Sequence, residues 1–176
     1  MKILRSALLC GLGFAFLSPS SVSAQDKSFE LALWSPMQVR SVDDGIRILR
    51  FALLYGENVS VKGLDLGLVL RTTGGISKGL RHSLVAINDG DFVGWQAGLV
   101  GITKGEFVGF QQGFYNEIDR GEAFQLGFVN SARDVSGLQI GLVNMAENMY
   151  GIQIGLVNVI RSKESMAFLP IVNWSF

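Results

Sequence analysis

One short phrase, Gly-Leu-Gln-Ile-Gly-Leu-Val-Asn, returns down the second half of the chain, and this repetition limits the fold more than any other feature. It stands at residues 137–144 and 151–158. Variants stand at Gly94-Trp95-Gln96-Ala97-Gly98-Leu99-Val100, at Gly109-Phe110-Gln111-Gln112-Gly113-Phe114 and at Phe124-Gln125-Leu126-Gly127-Phe128-Val129-Asn130. A unit this short cannot enclose a core alone, so it must stack on its neighbours.

Taking the residue before each Leu-Val or its equivalent as an anchor gives Gly67, Ser83, Gly98, Gly113, Gly127, Gly141 and Gly155, at steps of 16, 15, 15, 14, 14 and 14 residues. Such a step holds one strand of about ten residues with a tight turn, or two very short strands. Glycines four apart in nearly every unit would cost a helix about 1 kcal/mol each, which argues against helix. Within a unit the alternation has period two: Leu138, Ile140 and Leu142 against Gly137, Gln139, Gly141 and Val143. The same split sets Leu64, Leu66, Leu68 and Leu70 against Gly63, Asp65, Gly67 and Val69. One face is oily and the other small with a single polar group. Strands are predicted at 29–39, 45–55, 62–71, 78–87, 93–102, 107–116, 123–131, 137–145, 151–160 and 166–176, separated by breaks such as Asp43-Asp44-Gly45, Thr73-Gly74-Gly75 and Asn88-Asp89-Gly90-Asp91.

The ends and the composition suggest a compartment. Lys2 and Arg5, an apolar run from Ala7 to Leu17 and the small residues Ser21-Val22-Ser23-Ala24 read as a secretory signal peptide over residues 1–24, leaving residues 25–176 as a single β-repeat domain. The only cysteine, Cys10, lies inside that leader, so neither disulfide nor thiolate metal chemistry is expected after cleavage. Fifteen basic residues balance fifteen acidic ones, which gives no field for nucleic acid. Charged residues make up only 17% of the chain against 48% hydrophobic, a poor match to an ordinary soluble surface.

Two closures compete. An oily stripe on short strands, an even strand count and an alternating end at Phe168, Val172, Trp174 and Phe176 fit a small antiparallel outer-membrane-type β-barrel with its oily side in lipid. Against it, the repeats match at every unit rather than every second one, and Asn130, Asn144 and Asn158, like Gln125, Gln139 and Gln153, would form in-register ladders in parallel coils. Pro36 and Pro170 in the outer strands also suit open edges. The barrel is the leading expectation and a parallel β-solenoid of 14–16-residue coils the alternative. A solenoid is expected to bury the oily face and leave glycine and glutamine outside.

The repeats at 137–144 and 151–158, with Leu33-Trp34-Ser35-Pro36, Leu53-Leu54-Tyr55-Gly56-Glu57-Asn58, Gly63-Leu64-Asp65-Leu66-Gly67-Leu68-Val69 and Leu169-Pro170-Ile171-Val172-Asn173, resemble a family of bacterial surface-repeat proteins of uncharacterised function. The resemblance implies a Gram-negative or similar cell envelope and no particular activity. The unit Gly79-Leu80-Arg81-His82-Ser83-Leu84-Val85 departs from the motif.

No constellation of nucleophile, base and acid stands out, so an enzyme is not expected, and no cofactor or metal is called for. The lone His82 has no ligand partners in its motif and reads as structural or solvent-facing. Asn88-Asp89-Gly90-Asp91 lacks the remaining positions of a calcium loop and reads as a turn. Asp65, Arg71, Arg81, Gln96, Gln111, Gln125, Gln139 and Gln153 fall on the small face, where they are expected to line a lumen or form a ladder. The functional expectation is an exported outer-membrane or cell-surface repeat protein with a structural or interaction role, with a narrow pore as a secondary use. Its expected partners are outer-membrane lipid and an envelope protein. The alternative is a secreted or periplasmic β-solenoid binding module.

Overall fold

The computed structural model describes residues 26–176, and it is all-β. The strands are β1 (Asp26–Trp34), β2 (Met37–Gln38), β3 (Gly45–Asn58), β4 (Lys62–Thr72), β5 (Ile76–Asn88), β6 (Asp91–Ala97), β7 (Val100–Ile160) and β8 (Phe168–Ser175). They form one sheet in the order β2-β1-β3-β4-β5-β6-β7-β8. The proposed signal peptide lies outside the described residues.

β1 pairs in parallel with β3, and the strands from β3 to β7 continue in parallel. Leu64 lies beside Leu80, Leu80 beside Trp95 and Trp95 beside Phe110. Along β7, an extended path that winds through several coils, the stacking continues: the Phe110 and Phe124 rings stand 5.0 Å apart and Asn130 bonds Asn144 at a separation of 14 residues. The sequence step is therefore the interval between stacked neighbours. This corrects the expectation of an antiparallel barrel: the chain is a parallel β-solenoid. A meander pairs each strand with its reversed successor, whereas here each residue lies beside its own equivalent one coil on.

The faces are also reversed from those expected of a solenoid. Gln111, Gln125, Gln139 and Gln153 are fully buried, while Leu142, Ile154 and Leu156 are exposed. A two-sided coil of 14 residues is too thin to take leucine from both walls, so the glycine face turns inward and lets the walls approach. Gly141 shows the constraint: a Cβ there would lie 2.4 Å from the Gly127 carbonyl oxygen and 2.7 Å from the Asn130 amide.

A second departure is a change of parity within each coil. Leu142 is exposed, Val143 is half-buried and Asn144 is buried, so two consecutive residues point outward where the chain turns a corner. Leu70, placed by strict alternation on the oily face, is fully buried for the same reason. At the other end of the coil the chain reverses through polar pairs such as Arg133-Asp134 and Glu147-Asn148. Beneath those turns lies an apolar cluster that includes Phe92, Phe107, Ile118, Ala132, Val135 and Ile160, in which the Phe92 and Phe107 rings stack at 5.6 Å.

Antiparallel strands lie at both ends of the stack, a two-residue one at the amino-terminal end and an eight-residue one at the other. At the amino-terminal end β2 pairs antiparallel with β1. At the carboxy-terminal end β8 crosses the last coil antiparallel, from Gly151 beside Ser175 to Val159 beside Phe168. The outer-membrane localisation rested on a closed barrel wall, which a stack of parallel coils with an antiparallel strand at each end does not provide. Among the described residues, no helix is long and apolar enough to cross a membrane.

Candidate functional surface

Two polar rows run the length of the interior. Glu30, Arg50, Asp65, Arg81, Gln96 and Gln111 lie side by side in successive coils, and the row continues through Gln125, Gln139 and Gln153 to Asn173 of the cap. Its first part alternates in sign. Asp65 accepts bonds from Arg50 at 2.7 and 2.8 Å and from Arg81 at 2.6 Å, with all three residues buried. Arg50 also donates to the Arg71 carbonyl at 2.9 Å, and Arg81 donates to Asn88 and lies over the Phe92 ring. Glu30 accepts the Val39 and Arg40 amides at 3.0 and 2.9 Å.

Burial alone pushes the Asp65 carboxyl up, but the charges and hydrogen bonds of Arg50 and Arg81 together outweigh it and hold Asp65 below the usual carboxylate range. Burial depresses the Arg81 guanidinium, with partial compensation from Asp65. Where the charged row meets the amide row, Arg81 Nη2 and Gln96 Nε2 find no partner among the described residues.

From Gln111 onward the row is a neutral ladder. Gln125 donates to Gln111 at 2.8 Å, Gln139 to Gln125 at 2.7 Å and Gln153 to Gln139 at 2.8 Å. The second row begins with Asn58, Thr72, Asn88 and Thr103. It continues through Asn116, which donates to Asn130, Asn130 to Asn144 and Asn144 to Asn158, at 2.7 to 2.8 Å. The donors of this row point toward the carboxy-terminal end and those of the glutamine row toward the amino-terminal end, so the two lines of amide dipoles oppose each other. Sequence reasoning singled out the Asn130–Asn158 recurrence but missed Arg50 and Glu30, because their strands lack the glycine-glutamine phrase.

Seven of the eight residues expected to line a lumen or ladder thus share the interior row: Asp65, Arg81, Gln96, Gln111, Gln125, Gln139 and Gln153. Arg71 stands apart. It follows the corner, turns outward and pairs with Asp89 at 2.7 Å, which Lys104 also reaches at 2.7 Å. In the Asn88–Asp91 turn, Asn88 belongs to the interior row and Asp91 accepts the Glu106 amide at 2.8 Å. The interior is occupied by bonded side chains. This corrects the expectation of a pore, since the small face closes on itself and leaves no lumen between its rows.

With the polar groups enclosed, what the molecule offers a partner is its outer surface. One broad wall carries two apolar rows with a mixed row between them. One row includes Leu64, Leu80, Trp95, Phe124 and Ile152, at 40, 52, 46, 40 and 37% exposure, and a second includes Leu84, Leu99, Phe114, Phe128 and Leu156, at 48, 55, 56, 51 and 66%. The row between them contains Leu66, His82, Ala97 and Gln112 side by side, then Leu126 and Ile154. Ala97 is the small residue of that row, and a hollow opens around it, bordered by His82, Leu99, Gln112, Leu126 and Phe128. No protein-family model matches the chain, and no curated protein or solved structure matches it either.

Proposed function

We propose that the protein is an exported β-solenoid binding module, periplasmic or secreted, whose working surface is the broad apolar wall. The observation that carries this reading is the continuous exposure of that wall. Large side chains stand 36% or more exposed in coil after coil, from Leu64 to Leu156. Soluble monomers seldom show a contiguous apolar patch above a few hundred Å² without using it. The leader expected from the sequence of residues 1–24 supports export, and the resemblance to bacterial surface-repeat proteins agrees with an envelope role. The interior carboxylate and guanidinium groups of Asp65, Arg50 and Arg81 are taken up in mutual bonds, which leaves the outer wall as the surface this reading uses.

Osmotic fractionation of cells making the full chain should release it with the soluble periplasm or the medium. A photoreactive phenylalanine analogue at Phe128 should form adducts in those intact cells, and the same group at Arg133 should not. Retention in the membrane fraction with a heat-dependent gel shift, or equal adducts at both positions, would sink this reading.

A further inference from the structure

We propose that the occupant of the apolar wall is a second copy of the chain, packed face to face with its coils in reverse order. The inference rests on the wall being the working surface. At roughly 100 Å² of remaining apolar area for each exposed leucine or aromatic residue, the rows present on the order of 1,000 Å², more than the roughly 800 Å² that each partner contributes to a stable interface.

Symmetry and shape select the arrangement. A two-fold axis lying in the interface along the strands, midway between the adjacent coils of Trp95 and Phe110, maps each row onto itself and reverses the coil order. Ala97 and Gln112 are neighbours in the middle row, on either side of that axis. Each Gln112 side chain then seats in the hollow over the partner copy's alanine 97, and the same contact forms twice.

Charge at the rim favours the reversed order. Along one border of the wall Lys62 lies beside Lys78, Lys78 beside Val93 and Val93 beside Val108, with Glu122 next in the stack. The proposed axis brings Lys78 opposite Glu122 of the other copy. Alignment in the same order needs an axis along the stack, which turns each row onto the opposite border and gives Lys78 no Glu122 to face. A lipid surface fits less well: Gln112 would enter hydrocarbon instead of a hollow bordered by His82, and Glu122 would oppose anionic headgroups. A two-fold face contact uses the same wall on both copies, so association through it closes at two.

Sedimentation of the exported chain from about 0.1 to about 100 μM tests the proposal. The expected result is a monomer–dimer equilibrium. Lys78→Glu should weaken it at least about tenfold, Lys78→Glu combined with Glu122→Lys should restore it, and Ala97→Trp should leave monomer, all with unchanged circular dichroism. A monomer at every concentration, or a dimer indifferent to Ala97→Trp and to charge exchange, overturns the proposal. Flotation of monomer with phosphatidylglycerol vesicles overturns it in favour of lipid. Adducts at position 128 from a monomeric chain would overturn the dimer alone and leave the binding-module reading standing, whereas absence of adducts there removes both.

Discussion

Gly121 adopts a φ of 143° two residues ahead of Ala123, the alanine that occupies the stacking place held by Gly109 in the preceding coil and Gly137 in the next. Those glycines have φ of 135°, as do their equivalents within a range of 121° to 147°. An L side chain is strained there, so in the one coil with alanine the kink moves to the nearest glycine. Gly137→Ala should therefore lower stability by about 2–4 kcal/mol, since its Cβ would also lie 2.3 Å from the Ala123 carbonyl oxygen. Ala123→Gly should cost only about 1 kcal/mol. Urea midpoints of the two variants give the comparison, and equal losses would refute the relocated kink.

The buried triad predicts a specific acid limb. Asp65 titrates below its ordinary value of 3.8 when folded, so its contribution to stability is complete above that value and drains away as pH falls through the folded value. Asp65→Asn, which leaves Arg50 and Arg81 buried without a counter-charge, should cost about 3–5 kcal/mol at pH 7. The difference between wild type and variant should shrink as pH falls below the ordinary value of 3.8. A pH-independent difference would show that the carboxylate charge is not what holds the two guanidinium groups.

The repeat, its step and the strand character were legible because glycine, glutamine and leucine recur at fixed intervals. Closure was harder to read. An even step of 14 preserves face parity in either a barrel or a solenoid, and an outward oily wall gives both the same hydropathy. What decides between them is the space inside the coil, where Gly127 and Gly141 admit the amides of Asn130 and Asn144 but no leucine. The corner was not legible either, since Leu142-Val143 and Leu68-Val69 look like continuing alternation. Hence Arg71 was expected among the interior residues, although Asp65 and Arg81, which precede the corner, share one row.

Amphipathic leucines ordinarily mark a core, and here the rule inverts. Leu142, 41% exposed, should tolerate Leu142→Thr with a change of less than about 1 kcal/mol, whereas Leu70→Ala at a fully buried site should cost about 2–5 kcal/mol. Thermal denaturation of the dilute protein separates the two. A loss at position 142 as large as that at position 70 would place the oily wall inside the fold.

The asparagine ladder should behave as a chain rather than as separate bonds. Asn144 accepts from Asn130 and donates to Asn158 and to the Ile154 carbonyl. Asn144→Leu would strand a buried donor below it and acceptors above it, and it should cost about 2–4 kcal/mol. Asn144→Ala combined with Asn158→Ala should lose less than the sum of the single changes, because the second substitution removes a group already unpaired. Strict additivity in a double-mutant cycle would mean that the amides act independently.

The caps make the final prediction. A parallel stack presents unpaired N–H and C=O groups at each end, and an uncapped coil can template another copy. The strand β8 covers the last coil, and its own outer edge is blunted by Pro170, which has no N–H, and by Ile171 at φ 70°, a conformation that breaks a regular ladder. Removing residues 161–176 should bare the 151–159 edge, and end-to-end association should follow, visible as concentration-dependent light scattering and elongated particles in electron micrographs. The face variant Ala97→Trp should not suppress this growth, because the edge and the wall are separate surfaces. A truncated chain that scatters no more than the full chain would show that the cap contributes contacts to the last coil and is not needed to block its edge.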